Sequence, residues 1–399
     1  MNSVSNSIAG MKEAVPKILA RAKCIFFLIA CGVINIAYGR YRHRSDAWII
    51  GEGFGDCHKD NGYCFFRSCM TAQRNNVFFV VKRRIARRDP FLRGNANVLH
   101  YGSFRHINQL LYANAFIYTH THRDIAYDSI FWLLSRRVRI VSLKHGIMGF
   151  KKVNSFYRDH CNEPDMVVAV SEFEKSIIAN GIGTLESKIR ITGLARYDFL
   201  TDKSHGAQRK ILYMPTWRDW ATKGSFDDSA FLANAMGLAN NAALNELLAE
   251  NDMTLSLFLH KNMSAFSPWF AIDHPNISFF TFGEVDLQDL INESSLLVTD
   301  YSSASWDFLY LGKPVIFFQF DREEYLERRG SYLDFKESLF GPSATTPDEV
   351  ARLIHDFAAN GFQLDGRSQD MRSRFFSYFD CDNCSRIRDE IDALVSARD

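Results

Sequence analysis

The chain of 399 residues carries 47 Lys and Arg against 46 Asp and Glu, and 47% of its residues are hydrophobic. This composition excludes collagen, coiled-coil and disordered chains, and the balanced charge disfavours a protein that coats nucleic acid by bulk electrostatics. At about 100–200 residues per domain, the length predicts two domains with a large core. The 34 Phe residues are unusually many, and suit large buried faces, an acceptor groove or a membrane-contacting surface.

An uncharged apolar segment, 24–39, lies near the N-terminus. It is shorter than the roughly 20 residues that span a bilayer. Basic residues flank it on both sides: Lys12, Lys17, Arg21, Lys23, Arg40, Arg42 and Arg44. A signal peptide, a buried helix and a helix in the membrane interface are the alternatives. We favour the third, because no small-residue cleavage site follows and basic flanks suit anionic headgroups. Residues 1–44 are therefore predicted to form a membrane-associating helix.

After Arg44, short apolar runs alternate with amphipathic segments, which is typical of a parallel sheet with helical crossovers. The predicted strands of this half are Ala47–Gly51, Val77–Lys82, Val98–Tyr101, Ala115–Tyr118, Val138–Leu143, Met166–Val170 and Ile189–Thr192. The predicted helices include Phe104–Asn114, Ile125–Leu134 and Glu172–Asn180.

The polar segment Thr201–Gln208 reads as a linker, after which the alternation restarts. The predicted strands of the second half are Lys210–Met214, Thr254–Leu259, Ile277–Phe280, Leu296–Thr299 and Val315–Phe318. The predicted helices include Phe231–Glu250, Leu287–Glu293, Ser303–Leu311, Asp348–Asn360 and Asn383–Ala397. The fold class is thus α/β, with two doubly wound domains facing a cleft, at 45–205 and at 206–399, the second including the C-terminal helices.

The most informative motif is LLVTDYSSASWDF, residues 296–308, in which an apolar strand leads into a helix. Ser302 or Ser303 can cap that helix, and a helix N-terminus with hydroxyls is suited to phosphate. Asp307 lies four residues after Ser303 on about the same helical face, where it can accept hydrogen bonds from a sugar or polyol. The alternative is an ordinary strand–helix junction.

A second motif, LKHGIMGFKK at 143–152, places His145 directly after a strand. A histidine at the carboxyl end of a parallel strand faces the ligand cleft, and its ordinary pKa of about 6.5 suits a general base. Gly146 and Gly149 allow close approach of backbone to a ligand. The alternative is a buried histidine in a turn.

Two further strand ends carry polar groups. LYMPTWRDW, 212–220, offers the Thr216 hydroxyl, the Trp217 ring for a base and the Arg218 guanidinium for phosphate or carboxylate. LFLHK, 257–261, places His260 at the end of another apolar strand.

Other patterns favour structural roles. The spacing of GEGFG at 51–55 does not match a dinucleotide loop, and His120–His122 lacks a third ligand. A single CxxC at 381–384 reads as a turn before a helix, and the basic run Lys82–Arg88 as a solvated face that can also meet a membrane. We therefore expect no metal and no cofactor, and reduced cysteines.

Taken together, HGIMG, ARYD, PTW, LHK and TDYSSASWDF resemble, in this order, the CDP-glycerol glycerophosphotransferase family, the teichoic acid and capsule polyol-phosphate transferases. The segments Asp60–Gly62 and Tyr101–Ser103 also resemble family landmarks, and the resemblance spans about residues 45–395. The family's HGTPLK resembles 145–150 here, but Phe150 fills the lysine position, which Lys151 or Lys152 can replace. Trp306 stands in place of the family's Phe.

The resemblance implies a GT-B-like fold and metal-independent transfer of glycerol phosphate from CDP-glycerol, with release of CMP (EC 2.7.8.-). It implies catalytic roles for His145, as general base, and His260. The donor contacts that it implies are Gly146, Ile147, Met148, Gly149, Arg196, Thr216, Trp217, Arg218, Phe258, Leu259, Ser302, Ser303 and Asp307.

The implied partners are a CDP-polyol donor, a lipid-linked or polymeric hydroxyl acceptor and a membrane surface, with no nucleic acid. The implied location is peripheral, on the cytoplasmic face of a bacterial cell membrane. CDP-ribitol as donor, a GT-B glycosyltransferase using a nucleotide sugar, and a non-catalytic membrane scaffold are the alternatives. The density of polar groups at strand ends disfavours the scaffold.

Overall fold

Two parallel sheets, one in each half of the chain, make up the core. The computed structural model describes residues 18–33, 35, 46–56, 59–152, 163–206, 208–218, 220, 229–270, 272 and 274–397. The first sheet has the strand order β3-β2-β1-β4-β5-β6-β7 and the second β10-β9-β8-β11-β12-β13. In each sheet, successive strands are added first on one side of the first strand (β1 or β8) and then on the other, as in Rossmann-type sheets. The two predicted doubly wound domains are therefore confirmed.

The first sheet follows the predicted strands closely. Its strands are β1 Ala47–Gly51, β2 Val77–Val81, β3 Val98–His100, β4 Ala113–Tyr118, β5 Arg139–Ser142, β6 Met166–Ala169 and β7 Ile189–Ile191. Its helices are α2 Asn61–Thr71, α3 Arg83–Ala86, α4 Phe104–Leu110, α5 Asp128–Ser135 and α6 Glu172–Ile177. The strands are buried on both faces, which is why they read as continuous apolar runs.

The second sheet consists of β8 Arg209–Met214, β9 Met253–Phe258, β10 Ile277–Phe280, β11 Leu296–Thr299, β12 Val315–Phe318 and β13 Ser343–Ala344. Its helices are α7 Ala230–Ala239, α8 Ala242–Glu250, α9 Leu287–Glu293, α10 Ala304–Tyr310, α11 Arg322–Arg329, α12 Pro347–Ala359 and α13 Gly366–Phe375. The single helix predicted for Phe231–Glu250 is wrong: the chain breaks at Asn241, whose side chain caps α8 by accepting the Leu244 N–H at 3.0 Å.

An N-terminal helix, α1, covers 18–33 within the predicted segment. One side packs on the first domain, where Cys24 and Cys31 are buried and the Phe27 ring lies 5.6 Å from that of Phe104. Among the described residues, none of the helices combines the length and apolar character needed to cross a bilayer. The rest of the predicted segment 1–44 lies outside the described residues, apart from Asn35.

The last helix, α14 Asn383–Ser396, returns to the first domain. The Arg74 guanidinium forms a bidentate ion pair with Asp392, and Arg190 pairs with Glu390. The predicted boundary at 206–399 assigned this helix to the second domain, whereas its contacts lie on the first. An amphipathic pattern shows that a helix has an apolar face, but not which domain covers that face.

An aromatic cluster accounts for part of the Phe excess. Phe150, from the loop after β5, packs 5.2 Å from Trp306, 5.5 Å from Phe317 and 6.0 Å from Phe340. Phe340 also lies 4.8 Å from Trp306. A first-domain loop is thereby held in the second domain's core.

The cluster predicts that Phe340→Ala lowers the free energy of unfolding by about 3–5 kcal/mol, because it leaves a cavity beside Phe150 and Trp306. Urea unfolding followed by circular dichroism measures this. Phe282→Ala, at a ring that is 45% exposed, is the matched control and should cost much less. Equal losses in the two variants would contradict the cluster's role.

Candidate functional site

His145 lies in the cleft on the loop that follows β5, and its side chain is exposed. The residue before it, Lys144, has φ of 54°, a left-handed conformation that costs a non-glycine residue about 1 kcal/mol. The Asn61 amide donates to the Lys144 carbonyl at 2.8 Å, which offsets part of that cost. Asn61 stands at the start of α2, so this helix positions the histidine loop.

The Lys144 side chain connects the histidine loop to helix α6. Its ammonium forms a buried ion pair with Glu174, whose two oxygens also accept the N–H groups of Met148 at 2.8 Å and Val170 at 3.0 Å. Burial lowers the pKa of Lys144, and the Glu174 carboxylate opposes that shift. The loop is therefore fixed to α6 by a charge pair that sequence reasoning missed.

Arg196 joins the two domains. One guanidinium nitrogen donates to the His145 carbonyl at 2.8 Å and to Asp60 at 3.3 Å, and the other to Asp307 at 2.7 Å. Burial lowers the pKa of Arg196, but Asp307, Tyr197 and Asp60 together more than offset this and the net shift is upward. Both residues were predicted to contact the donor; here they contact each other, and Asp307 fixes the arginine that holds the histidine loop.

The glycine after His145 meets the second domain directly. A Cβ on Gly146 would lie 3.2 Å from the Ser303 hydroxyl oxygen, so a larger residue would push the two loops apart. Ser303 holds the N-cap position of α10 without a side-chain capping bond. The neighbouring Ser302 hydroxyl accepts the Ala304 N–H at 3.2 Å. The loop after His145 and the start of α10 thus lie against each other.

The rest of the histidine loop packs inward. Ile147, Gly149 and Phe150 are buried and Met148 is half-buried. A Cβ on Gly149 would lie 3.0 Å from both Trp306 and Leu333, so no side chain fits there. Phe150, which stands at the position of the family's lysine, packs in the core, whereas the adjacent Lys151 and Lys152 are exposed.

Arg218 holds the Pro-Thr-Trp turn from behind. It is 3% exposed, its fork binds Asp321 at 2.7 and 2.9 Å, and its third nitrogen donates to the Thr216 carbonyl at 2.7 Å. Asp300 also pairs with Arg218 at 2.8 Å and accepts the Thr216 N–H at 2.9 Å. All three guanidinium nitrogens of Arg218 therefore donate to protein groups. The side chain stabilises the Thr216 turn and has no nitrogen directed to a phosphate.

The ends of β8 and β9 present few side chains to the cleft. His260 is exposed, and its Nδ1 accepts the Asn262 N–H at 3.2 Å. Phe258 and Leu259 are buried in the core, so only their backbone can face a ligand. Trp217 is half-buried, its ring 5.6 Å from Phe266.

The surroundings of His145 favour its neutral form. Loss of hydration among the surrounding protein atoms, and then the charges of His120 and Arg196, lower the pKa of His145. Lys144 and Lys151 add to the effect. Each of these neighbours disfavours a second positive charge. A neutral imidazole can accept a proton from a hydroxyl, which is what a general base requires.

His120 was interpreted from sequence as structural, yet its ring is stacked on that of His145. The ring centroids are 4.9 Å apart and the planes differ by 6°. The HxH spacing carried no signal for this contact, since only the pairing of β4 with β5 brings the two loops together. His122, by contrast, points elsewhere and bonds Asp128 at 2.9 Å.

Over the described residues, no three His, Cys, Asp or Glu side chains cluster as metal ligands. Cys381 and Cys384 are free thiols at the start of α14, as the turn-before-a-helix interpretation predicts.

Two Rossmann-type domains, with polar side chains from the carboxyl ends of their strands meeting across one cleft, place the chain among two-domain α/β proteins of the Rossmann type. Residues 56–392 match the family model for CDP-glycerol:poly(glycerophosphate) glycerophosphotransferase. The chain therefore belongs to that family of transferases.

Relatives and solved structures agree with the family. The chain is 26% identical to the minor teichoic acid biosynthesis protein GgaB of Bacillus subtilis, over 88% of this chain and 40% of that protein. It is 26% identical to a teichoic acid poly(ribitol-phosphate) polymerase of Bacillus spizizenii, over 59% of this chain and 38% of that protein. It thus spans about two fifths of their length. The wall teichoic acid polymerase TagF shares the fold, with a TM-score of 0.70 and 17% identity over 96% of this chain and 99% of that one.

The buried Lys144–Glu174 ion pair predicts that Glu174→Gln lowers the free energy of unfolding by an amount that depends on pH. Without the carboxylate, the buried Lys144 ammonium has no charged partner, and we expect a loss of about 3–5 kcal/mol at pH 7. Because the pKa of Lys144 is lowered in the folded state, the buried amine loses its charge first as the pH rises. The unfolded chain loses that charge near the ordinary pKa of about 10.4, so the cost of burying a charged amine falls as the pH approaches this value. The deficit should therefore shrink between pH 7 and 10.

Urea unfolding of Glu174→Gln at several pH values measures this deficit. Glu172→Gln on the same helix is the matched control, since its carboxylate is 78% exposed and lies 3.7 Å from Lys175. A Glu174→Gln deficit that is constant with pH, or equal to that of the control, would contradict the assignment.

Proposed function

We propose that this protein transfers glycerol phosphate from CDP-glycerol to a hydroxyl of a membrane-linked, teichoic-acid-like or capsular acceptor and releases CMP. The observation that carries the proposal is the placement of His145. Its ring is open to the cleft, its backbone is bound by Arg196, and the next residue meets Ser303 of the opposite domain. Family membership supplies the donor class.

In the proposed step, the acceptor oxygen attacks the β-phosphorus of CDP-glycerol while His145 takes the hydroxyl proton. The bond from that phosphorus to the bridging oxygen breaks, and CMP leaves with the bridging oxygen. Negative charge therefore builds on CMP, and we assign His260 and the Ser303 hydroxyl of the second domain as the groups that donate hydrogen bonds to it. A phosphodiester to the acceptor forms, and His145 later returns its proton to solvent.

The first domain then binds the acceptor and the second the donor. His145 belongs to the first domain, while Thr216, His260 and Ser303 end strands or begin a helix of the second. Arg196 and Asp307 support this arrangement by holding the two sides together rather than by binding either substrate. The step requires positioning of two substrates across one cleft, which fixed loops on opposing strand ends supply.

CDP-ribitol is the second donor that we retain, because one relative is a poly(ribitol-phosphate) polymerase. The test is CMP release by purified protein from CDP-glycerol and CDP-ribitol, beside UDP release from a UDP-sugar. A lipid carrying a glycerol-phosphate headgroup serves as the acceptor probe, and product mass gives the number of units added. Turnover of the nucleotide sugar without CMP release from either CDP-polyol would overturn the proposal.

His145→Ala should lower kcat for CMP release by roughly 10²- to 10⁴-fold, because it removes the base while leaving the donor side intact. CDP-glycerol affinity, measured by calorimetry, should remain near that of the wild type. The matched control is His355→Ala, at an exposed histidine of α12, which should turn over normally. Wild-type turnover in His145→Ala would remove this residue from the base role.

We also propose that α1 rests on the cytoplasmic face of a bacterial cell membrane, where a lipid-linked acceptor is available. The side of α1 away from the first domain exposes a run of apolar residues at helical spacing: Ile18, Leu19, Ile25, Phe26, Ile29 and Val33. Arg21, Lys23 and the basic flanks of the segment can meet anionic headgroups. An apolar face with basic neighbours suits an interfacial helix.

Replacing Phe26 and Ile29 together by Ser should weaken binding to vesicles of phosphatidylglycerol and phosphatidylcholine at least tenfold. Burying each side chain contributes about 1.5–3 kcal/mol, and about 1.4 kcal/mol is tenfold in affinity. Vesicle co-sedimentation measures binding, and wild type should bind pure phosphatidylcholine more weakly. Leu133→Ser with Leu185→Ser, at residues 63% and 61% exposed, is the matched control. Equal binding by the two double variants would contradict the interfacial role of α1.

A further inference from the structure

His120 reaches His145 from the neighbouring strand end. β4 and β5 pair in parallel with Tyr118 beside Ser142, and each loop that follows contributes one imidazole. The rings lie face to face at 4.9 Å, with 6° between their planes. His120 is 32% exposed, so the pair lines the cleft rather than the core.

The Asp124 carboxylate stands behind His120. It is buried, and it accepts the N–H groups of His120 at 2.7 Å, Thr119 at 3.2 Å, Thr121 at 3.3 Å and, on its other oxygen, Phe54 at 2.8 Å. His120 Nδ1 lies 3.8 Å from the same carboxylate and, within the described part of the chain, has no hydrogen-bond partner. One carboxylate therefore fixes the loop and faces the ring nitrogen.

We propose that His120 is a positioning residue of the catalytic centre: its ring, held beside Asp124, fixes the plane of the His145 imidazole and disfavours a positive charge on it. This inference rests on the proposed role of His145 as base. It assigns to His120 the task of keeping that base unprotonated and correctly oriented.

The charges around the two rings differ in sign. His145 faces cations: Arg196 from the turn after β7, Lys144 and Lys151 on its own loop, and His120. Asp60 and Asp307 are both engaged by Arg196, and the described residues form no ion pair with the His145 ring. His120 instead faces Asp124, with the buried Glu52 carboxyl near that carboxylate.

The two stacked rings disfavour a positive charge on both at once, because two positive rings in parallel contact repel each other. The pKa of His145 is lowered first by loss of hydration and then by His120, which is the direction that this contact gives. As pH falls, His145 then remains a neutral base over a range in which an isolated histidine would be charged.

Two substitutions separate the stacking from the charge. His120→Phe keeps a flat ring but removes the charge, so the pKa of His145 rises and the acid limb of kcat/KM moves to higher pH, by about one unit. Its kcat at pH 8 should stay above that of His120→Ala, because the stacked ring is retained. His120→Ala removes the ring as well, and kcat at pH 8 should fall by about 10- to 100-fold with little change in the KM for CDP-glycerol.

The matched control is His122→Phe, two residues further along the same loop. His122 bonds Asp128 and packs 4.9 Å from Phe131, away from His145, so its replacement should leave the acid limb in place. Thermal melting of each variant separates a folding loss from a catalytic one. CMP release from CDP-glycerol, with the glycerol-phosphate lipid as acceptor, supplies the kinetics.

A second readout does not depend on turnover. Histidine ring carbons labelled with ¹³C, assigned with His145→Ala and His120→Phe, report each ring's titration by NMR. In His120→Phe the His145 signal should titrate at higher pH than in the wild type. An unmoved His145 titration together with an unmoved acid limb would overturn the inference. Normal turnover by His145→Ala would instead remove the base role of His145 on which this inference rests, whereas no CMP release by the wild type from either CDP-polyol would overturn the proposed function.

Discussion

The buried ion pair between Arg196 and Asp307 is the contact on which the geometry of the site depends. It joins a turn of the first domain to a helix of the second, and the same guanidinium holds the His145 carbonyl and Asp60. Charges this deeply buried are stable only when paired, since removing one partner typically costs about 3–5 kcal/mol. Loss of Asp307 would therefore remove this contact between the domains and leave the guanidinium that holds the His145 carbonyl with Asp60 as its remaining carboxylate partner.

The sequence predicted both sheets because their strands are short, apolar and buried on both faces, a property that each strand carries locally. It also predicted that His145, Ser303 and His260 lie at strand ends, since parallel strands direct their carboxyl ends to one edge. The break at Asn241 escaped prediction because alanine- and leucine-rich segments on both sides favour a helix, and only a capping side chain marks the boundary.

What the sequence could not reveal are partners brought together by packing. Lys144 and Glu174 are 30 residues apart, and nothing local indicates that they form one buried pair. Arg218 has the motif of a phosphate-binding fork, yet Asp300 and Asp321 already occupy it. The stack of His120 on His145 likewise follows from strand order. A motif predicts which residue types lie near the cleft, whereas side-chain partners decide which of them remain available to a ligand.

The contacts between the domains differ in strength. Lys59 and Asp286 form an ion pair across the domains with side chains 39% and 20% exposed, a kind of contact that contributes about 0–1 kcal/mol. Arg196–Asp307 and the packing of Phe150 among Trp306, Phe317 and Phe340 are buried and much costlier to break. The domains are therefore held together mainly by the Arg196 pair and the Phe150 cluster, and these same contacts keep the His145 loop beside Ser303 of the second domain.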